Sequence, residues 1–144
     1  MINSPETILV VEDDPNDAFF LKRALKKTRP DLPLQLLTDG EQALDYLNGH
    51  PKYSDRAAYP LPSLIFLDLK LPYFSGFQIL EHIRSRPELA AIPVFILTSS
   101  SEERDRQQAL VLGAKAYLVK PPTPEMLLKI LGGFTSTPNP SPTS

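Results

Sequence analysis

Apolar residues arrive in five short runs: Ile8–Val11, Leu34–Leu37, Leu64–Leu67, residues 94–97 and Ala116–Val119. Most are continuous rather than alternating, the pattern of strands covered on both faces of a sheet. Helical spacing fills the intervals. Asp14 followed by Pro15 predicts a helix start, an N-cap with proline in the first helical position. Ala18, Leu21, Ala24, Leu25 and Thr28 then share one face. Residues 40–47 predict a short second helix. Residues 76–86 predict a third, with Phe77, Leu80 and Ile83 at helical spacing and Pro87 as its limit. Residues 102–112 predict a fourth, stopped by Gly113. Residues 124–131 predict a fifth, apolar at Leu127, Leu128, Ile130 and Leu131 and ended by Gly132 and Gly133.

Strands alternating with helices imply an α/β fold, a parallel sheet with helices on both faces. Two segments exceed the minimum. Residues 48–62 form a long polar connection before the third strand, and residues 135–144 form a Pro/Ser-rich tail expected to be disordered. The expectation is one domain over residues 1–134 and no second.

Composition narrows the picture slightly. A net charge of −2 offers no broad basic surface for nucleic acid or anionic lipid. The chain has no cysteine, which excludes disulfides and thiolate metal sites and fits a reducing, cytoplasmic setting. The N-terminal stretch lacks the basic start and long apolar run of a signal peptide. No apolar stretch is long enough to span a membrane.

Ligands of open α/β sheets bind beyond the carboxyl ends of the strands, so the residues that end each run matter most. The first run ends in Glu12, Asp13 and Asp14, the second in Thr38 and Asp39, the third in Asp68, the fourth in Thr98 and the fifth in Lys120. Each alone has an ordinary explanation. Glu12 and Asp13 suit the positive end of a helix, and Asp14 suits its cap. Asp68 and Thr98 suit turns, and a lone lysine is usually solvated. Together they place acids, a hydroxyl and an ammonium on one edge. Clustered carboxylates repel unless a cation neutralises them. Oxygen ligands without His or Cys favour Mg²⁺. Asp68 can then act as a nucleophile toward phosphorus, with Thr98 and Lys120 placed to hold phosphoryl oxygens.

The four segments "ILVVEDDP", "FLDLKLP", "FILTSS" and "YLVKP" together resemble the receiver domain of two-component response regulators, over about residues 7–134. The resemblance implies a flavodoxin-like (βα)5 fold with strand order 2-1-3-4-5. It implies that Asp68 is the phosphoacceptor and that Asp13 binds Mg²⁺ directly. Glu12 would act mainly through water, and the Lys70 backbone carbonyl would supply a further ligand. Thr98 resembles the switch hydroxyl, Lys120 the phosphate-binding lysine, and Tyr117 the aromatic that turns inward on phosphorylation. The Lys120–Pro121 bond is cis in many members. The chain departs from the pattern at Ser75, where many members carry Asp. Lys70 and Ser100 occupy positions that influence dephosphorylation.

Without an effector domain, the resemblance implies a stand-alone regulator that signals by binding. It is similar to the small regulators that accompany phytochrome-type histidine kinases, which makes such a kinase the expected partner. Residues 102–108 are all polar, so the fourth helix is expected to be weakly anchored. Phosphorylation of Asp68 would shift the face made by the fourth helix, fifth strand and fifth helix, which could also serve a homodimer. No nucleic acid or membrane partner is expected, nor enzymatic turnover beyond slow self-dephosphorylation. A haloacid-dehalogenase-like phosphatase is the competing enzyme reading, but its nucleophile follows the first strand in a D-x-D motif. A receiver-like module independent of phosphorylation would typically lack part of this residue set. His50 and His82 lie away from the predicted edge and are expected at the surface.

Overall fold

A computed structural model describes residues 7–133. Its five strands are β1 (Ile8–Val11), β2 (Leu34–Leu37), β3 (Leu64–Leu67), β4 (Val94–Thr98) and β5 (Ala116–Val119). The helices are α1 (Pro15–Thr28), α2 (Gly40–Asn48), α3 (Gly76–Ser85), α4 (Glu103–Val111) and α5 (Pro124–Gly133). All pairings are parallel, in the order β2-β1-β3-β4-β5. This is the expected flavodoxin-like fold.

The period-two geometry of a strand divides the apolar runs between two cores. Leu9, Val11, Ile65, Leu67 and Ile96 face α2 and α3, where Ala43, Tyr46, Ile79, Leu80 and Ile83 complete one core. Ile8, Val10, Leu64, Phe66, Phe95 and Leu97 face α1 and α5 and meet Leu21, Leu25, Leu127 and Leu131. The continuous apolar runs follow from this: a central strand has no solvent face. β1, β3 and β4 are buried throughout, whereas the edge strands β2 and β5 are only partly covered.

The helix starts follow local chemistry. Asp14 caps α1 by accepting hydrogen bonds from the N–H groups of Asn16 and Asp17 at 2.8 and 3.2 Å. Ser75 forms a reciprocal capping box with Gln78 at the start of α3. Gly76 is required by close approach, because a Cβ there would lie 2.2 Å from the Asp68 carbonyl oxygen. α4 buries only Ala109 and has no side-chain N-cap, in keeping with the weak anchoring expected of its polar first half.

Four expectations are corrected. The fifth helix does not end before Gly132 and Gly133 but runs through both; the burial of Leu127 and Leu131 outweighs glycine's poor helix propensity. The connection over residues 48–62 is not simply a polar loop. It contains a short 3-10 helix, Pro51–Tyr53, and buries Tyr53 against Tyr46 and Tyr59 with ring centroids 5.1 Å from each. Arg56 ties this segment down by donating to the carbonyls of Tyr46, Leu47 and Tyr59. Thr98 belongs to β4 rather than following it. His50 is exposed, but His82 is half-buried and hydrogen-bonds Asn48 at 2.8 Å; burial holds its pKa below the ordinary value. The Pro/Ser-rich tail, 135–144, lies outside the described residues. No helix among the described residues is long and apolar enough to cross a membrane.

Candidate functional site

The sheet ladders place the polar edge. Val11 pairs with Leu67 across β1 and β3, so the residues that follow, Glu12 and Asp68, emerge side by side. Glu12 N–H continues its ladder to the Leu37 carbonyl at 2.9 Å, and Asp68 N–H to the Val11 carbonyl at 3.1 Å. On the other side, Lys120 N–H bonds the Thr98 carbonyl at 2.8 Å. The Lys120–Pro121 bond is cis.

Glu12, Asp13 and Asp68 each offer a carboxylate oxygen, and these atoms lie within 4.8 Å of one another. Glu12 and Asp68 are buried and Asp13 is exposed, so the cluster opens to solvent on one side. Three oxygen donors with no nitrogen or sulfur, converging at an open edge, fit a hard divalent cation that keeps several waters, such as Mg²⁺.

The Lys120 ammonium is the cluster's internal counter-ion. Its Nζ lies 2.6 Å from Glu12 Oε1, 2.8 Å from Asp17 Oδ2 and 3.0 Å from Asp68 Oδ2. An ammonium has three N–H donors, so all three are engaged. The other oxygens of the buried acids are also occupied: Asp68 Oδ1 accepts from Leu69 N–H at 2.7 Å and Glu12 Oε2 from Asp14 N–H at 3.1 Å. Burial pushes the Glu12 carboxyl up to about 7, against the lowering effect of Lys120 and the Asp14 N–H. Burial disfavours the Lys120 cation, but its hydrogen bonds to Asp17, Glu12 and Asp68 more than offset this and raise its pKa above the ordinary value.

Thr98 is fully buried at the end of β4, where its Oγ1 accepts from Ser100 N–H at 3.3 Å. Ser100 is a junction. Its hydroxyl donates to Asp105 on α4 at 2.8 Å, and its carbonyl accepts from the Tyr117 hydroxyl at 2.9 Å. Tyr117 is half-buried, and burial raises its pKa. Lys70 is exposed beside Leu69.

The structure thus brings together Glu12, Asp13, Asp68 and Lys120, with Thr98 and Tyr117 joined through Ser100 rather than through the acids. Sequence reasoning missed Asp17, Ser100 as a junction, and Asp105. Asp17 carried one legible signal: it stands in the first turn of a helix that starts at the acidic edge.

The comparisons with known proteins identify the family. The family model of the response regulator receiver domain matches residues 8–132. Response regulator Rcp1 of Synechocystis sp. is 36% identical over 134 residues, covering 93% of this chain and 89% of that protein. The Mn²⁺-bound form of response regulator Rcp1 superposes with a TM-score of 0.78 at 33% identity, covering 95% of this chain and 100% of that one. The bacteriophytochrome response regulator AtBRR superposes with a TM-score of 0.80 at 35% identity, covering 96% and 100%. From residue 8 to residue 132, then, the chain belongs to the response regulator receiver domain family of two-component signalling.

Proposed function

We propose that the chain is a cytoplasmic phosphoacceptor whose Asp68 takes a phosphoryl group from a sensor histidine kinase. The observation that carries this reading is the convergence of Glu12, Asp13 and Asp68 with the Lys120 ammonium seated on Asp68. In the transfer, an Asp68 carboxylate oxygen attacks phosphorus and forms an acyl phosphate. The phosphorus–nitrogen bond of the donor phosphohistidine breaks, and its electron pair stays on the imidazole nitrogen.

Glu12, Asp13, Asp68 and the Lys70 carbonyl would hold Mg²⁺. When bound, the ion supplies charge neutralisation for the phosphoryl oxygens. Lys120 and the Thr98 hydroxyl bind the remaining oxygens. Drawing Thr98 toward the phosphoryl group pulls on Ser100, bonded to it through N–H, and so on Tyr117, bonded to the Ser100 carbonyl. The signal then reaches α4, β5 and α5. Exposed Val111, Val119 and Leu128 sit on those three elements and support a binding or homodimer role for that face. Similarity to a bacteriophytochrome response regulator favours a phytochrome-type kinase as donor.

Intact-mass spectrometry with acetyl phosphate tests the reading. Wild type with Mg²⁺ is expected to gain one phosphoryl group, whereas Asp68→Asn, or wild type in EDTA, gains none. A folded wild type that gains nothing rejects the phosphoacceptor role. Phosphotransfer from a phosphorylated phytochrome kinase, absent with an unrelated kinase, tests the narrower partner.

A further inference from the structure

Lys120 has no donor to spare. Its side chain is 12% exposed, and its three N–H groups are engaged by Glu12, Asp17 and Asp68. A phosphoryl oxygen arriving on Asp68 can take a hydrogen bond from this ammonium only if a present partner lets go. The three partners differ in what release costs. The Glu12 side chain is 3% exposed, so left unpaired it keeps a carboxylate out of water without its cation; Asp68 stops being a carboxylate once it carries the phosphoryl group, and the N–H it held passes to that group without freeing another. The Asp17 side chain is 39% exposed, and water can replace the ammonium there at small cost. The Asp17 side of the lysine is also the open one. Beside it lies a cavity of about 90 Å³ between α1 and the residues after β5, walled by Phe20, Leu97, Pro121 and Pro122.

We propose that Asp17 is a positioning residue for phosphoryl capture: it occupies the third N–H of Lys120 until a phosphoryl oxygen takes that donor over. Asp17 touches neither phosphorus nor metal in this scheme. It acts through Lys120, holding the ammonium at the cluster in the resting state and competing with the phosphoryl group for it. Helix geometry suits the task. Asp17 is in the first turn of α1, and its backbone N–H is fixed by the Asp14 cap. The carboxylate is therefore anchored at its base while its tip exchanges with water. The competition sets how tightly the site holds a phosphoryl group, independently of the residues that make the bond.

This inference rests on the phosphoacceptor reading, and the test separates the two. The probe is beryllofluoride, formed from BeCl₂ and NaF, titrated in Mg²⁺ into the full chain and followed by calorimetry. It imitates the phosphoryl group without any bond transfer. Asp17→Ala is expected to bind beryllofluoride about fivefold more tightly than wild type, the size of a half-exposed charged contact. Asp17→Asn, which keeps a weaker, neutral acceptor, is expected to gain about twofold. Both gains persist in 1 M NaCl, where the Debye length is about 3 Å and a long-range charge effect would vanish. Folded variants that bind as wild type does, or more weakly, overturn the role of Asp17 alone. So does a gain that disappears in high salt. A folded wild type that binds no beryllofluoride in Mg²⁺ overturns the phosphoacceptor reading and this inference with it.

Discussion

Replacing Lys120 with Met asks how much of the fold depends on one buried cation. The substitution keeps a long apolar stem and removes only the ammonium. Three carboxylates lose their partner, but not equally. Asp17 is exposed enough that its pairing contributes at most about 1 kcal/mol. Glu12 and Asp68 are buried, and breaking such a pair by removing one member costs about 3–5 kcal/mol. Glu12 can escape part of that cost by taking up a proton. Its pKa is already raised to about 7, chiefly by burial, and Lys120 is the largest influence holding it down. Without Lys120 it rises further. A carboxyl raised in the folded state contributes stability that is complete below its ordinary value of 4.5 and is lost as pH climbs through the folded value. The variant should therefore lose stability as pH rises, and the gap from wild type should widen. We expect about 4 kcal/mol at pH 8 and about 2 kcal/mol at pH 5, where the loss at Asp68 remains, read from urea unfolding without divalent ions. Adding Glu12→Gln to Lys120→Met should restore about 1–2 kcal/mol at pH 8, because a neutral amide needs no counter-ion. A gap that stays flat from pH 5 to pH 8 would refute the argument, as would a single variant as stable as wild type at pH 8.

Three further outcomes are expected. Gly76→Ala forces a Cβ to within 2.2 Å of the Asp68 carbonyl oxygen; it should cost about 2 kcal/mol or more in urea unfolding and slow phosphorylation by acetyl phosphate, since the backbone that yields carries the phosphoacceptor. Arg56→Ala strips the donors from the carbonyls of Tyr46, Leu47 and Tyr59; a loss of about 2 kcal/mol should come with faster amide exchange in residues 49–62 and unchanged beryllofluoride binding. Tyr46→Phe removes the bond from the buried hydroxyl to the Pro60 carbonyl at 2.7 Å, at a cost of about 1 kcal/mol near neutral pH. Burial raises the Tyr46 phenol from 10 to about 12, so its contribution is complete below pH 10 and is lost as pH rises toward 12. Alkaline unfolding should be correspondingly shallower in the Phe variant, and identical alkaline curves would count against that burial.

Most of the fold was legible in the sequence because it rests on local signals. Continuous apolar runs mark central strands. Asp14 with Pro15 starts a helix, and the polar residues that end each run mark one edge of the sheet. Glu12, Asp13, Asp68, Thr98 and Lys120 could be named from chain position alone, since a parallel sheet sends the end of every strand to the same side. Other features depended on partners distant in the chain. Nothing local in residues 48–62 says that Tyr53 will stack on Tyr46 or that Arg56 will cap α2. Gly132 and Gly133 look like a helix stop until Leu127 and Leu131 are seen buried against the sheet. Lys120 reads as a solvated lysine until β5 lies two strands from β3 and Asp17 reaches it from α1, 103 residues earlier in the chain. Chain order and hydrophobic period determine which elements form and which edge carries the chemistry. Only the packed structure decides which charges share a proton donor, because that depends on ångström-scale separations and on how much water each group keeps.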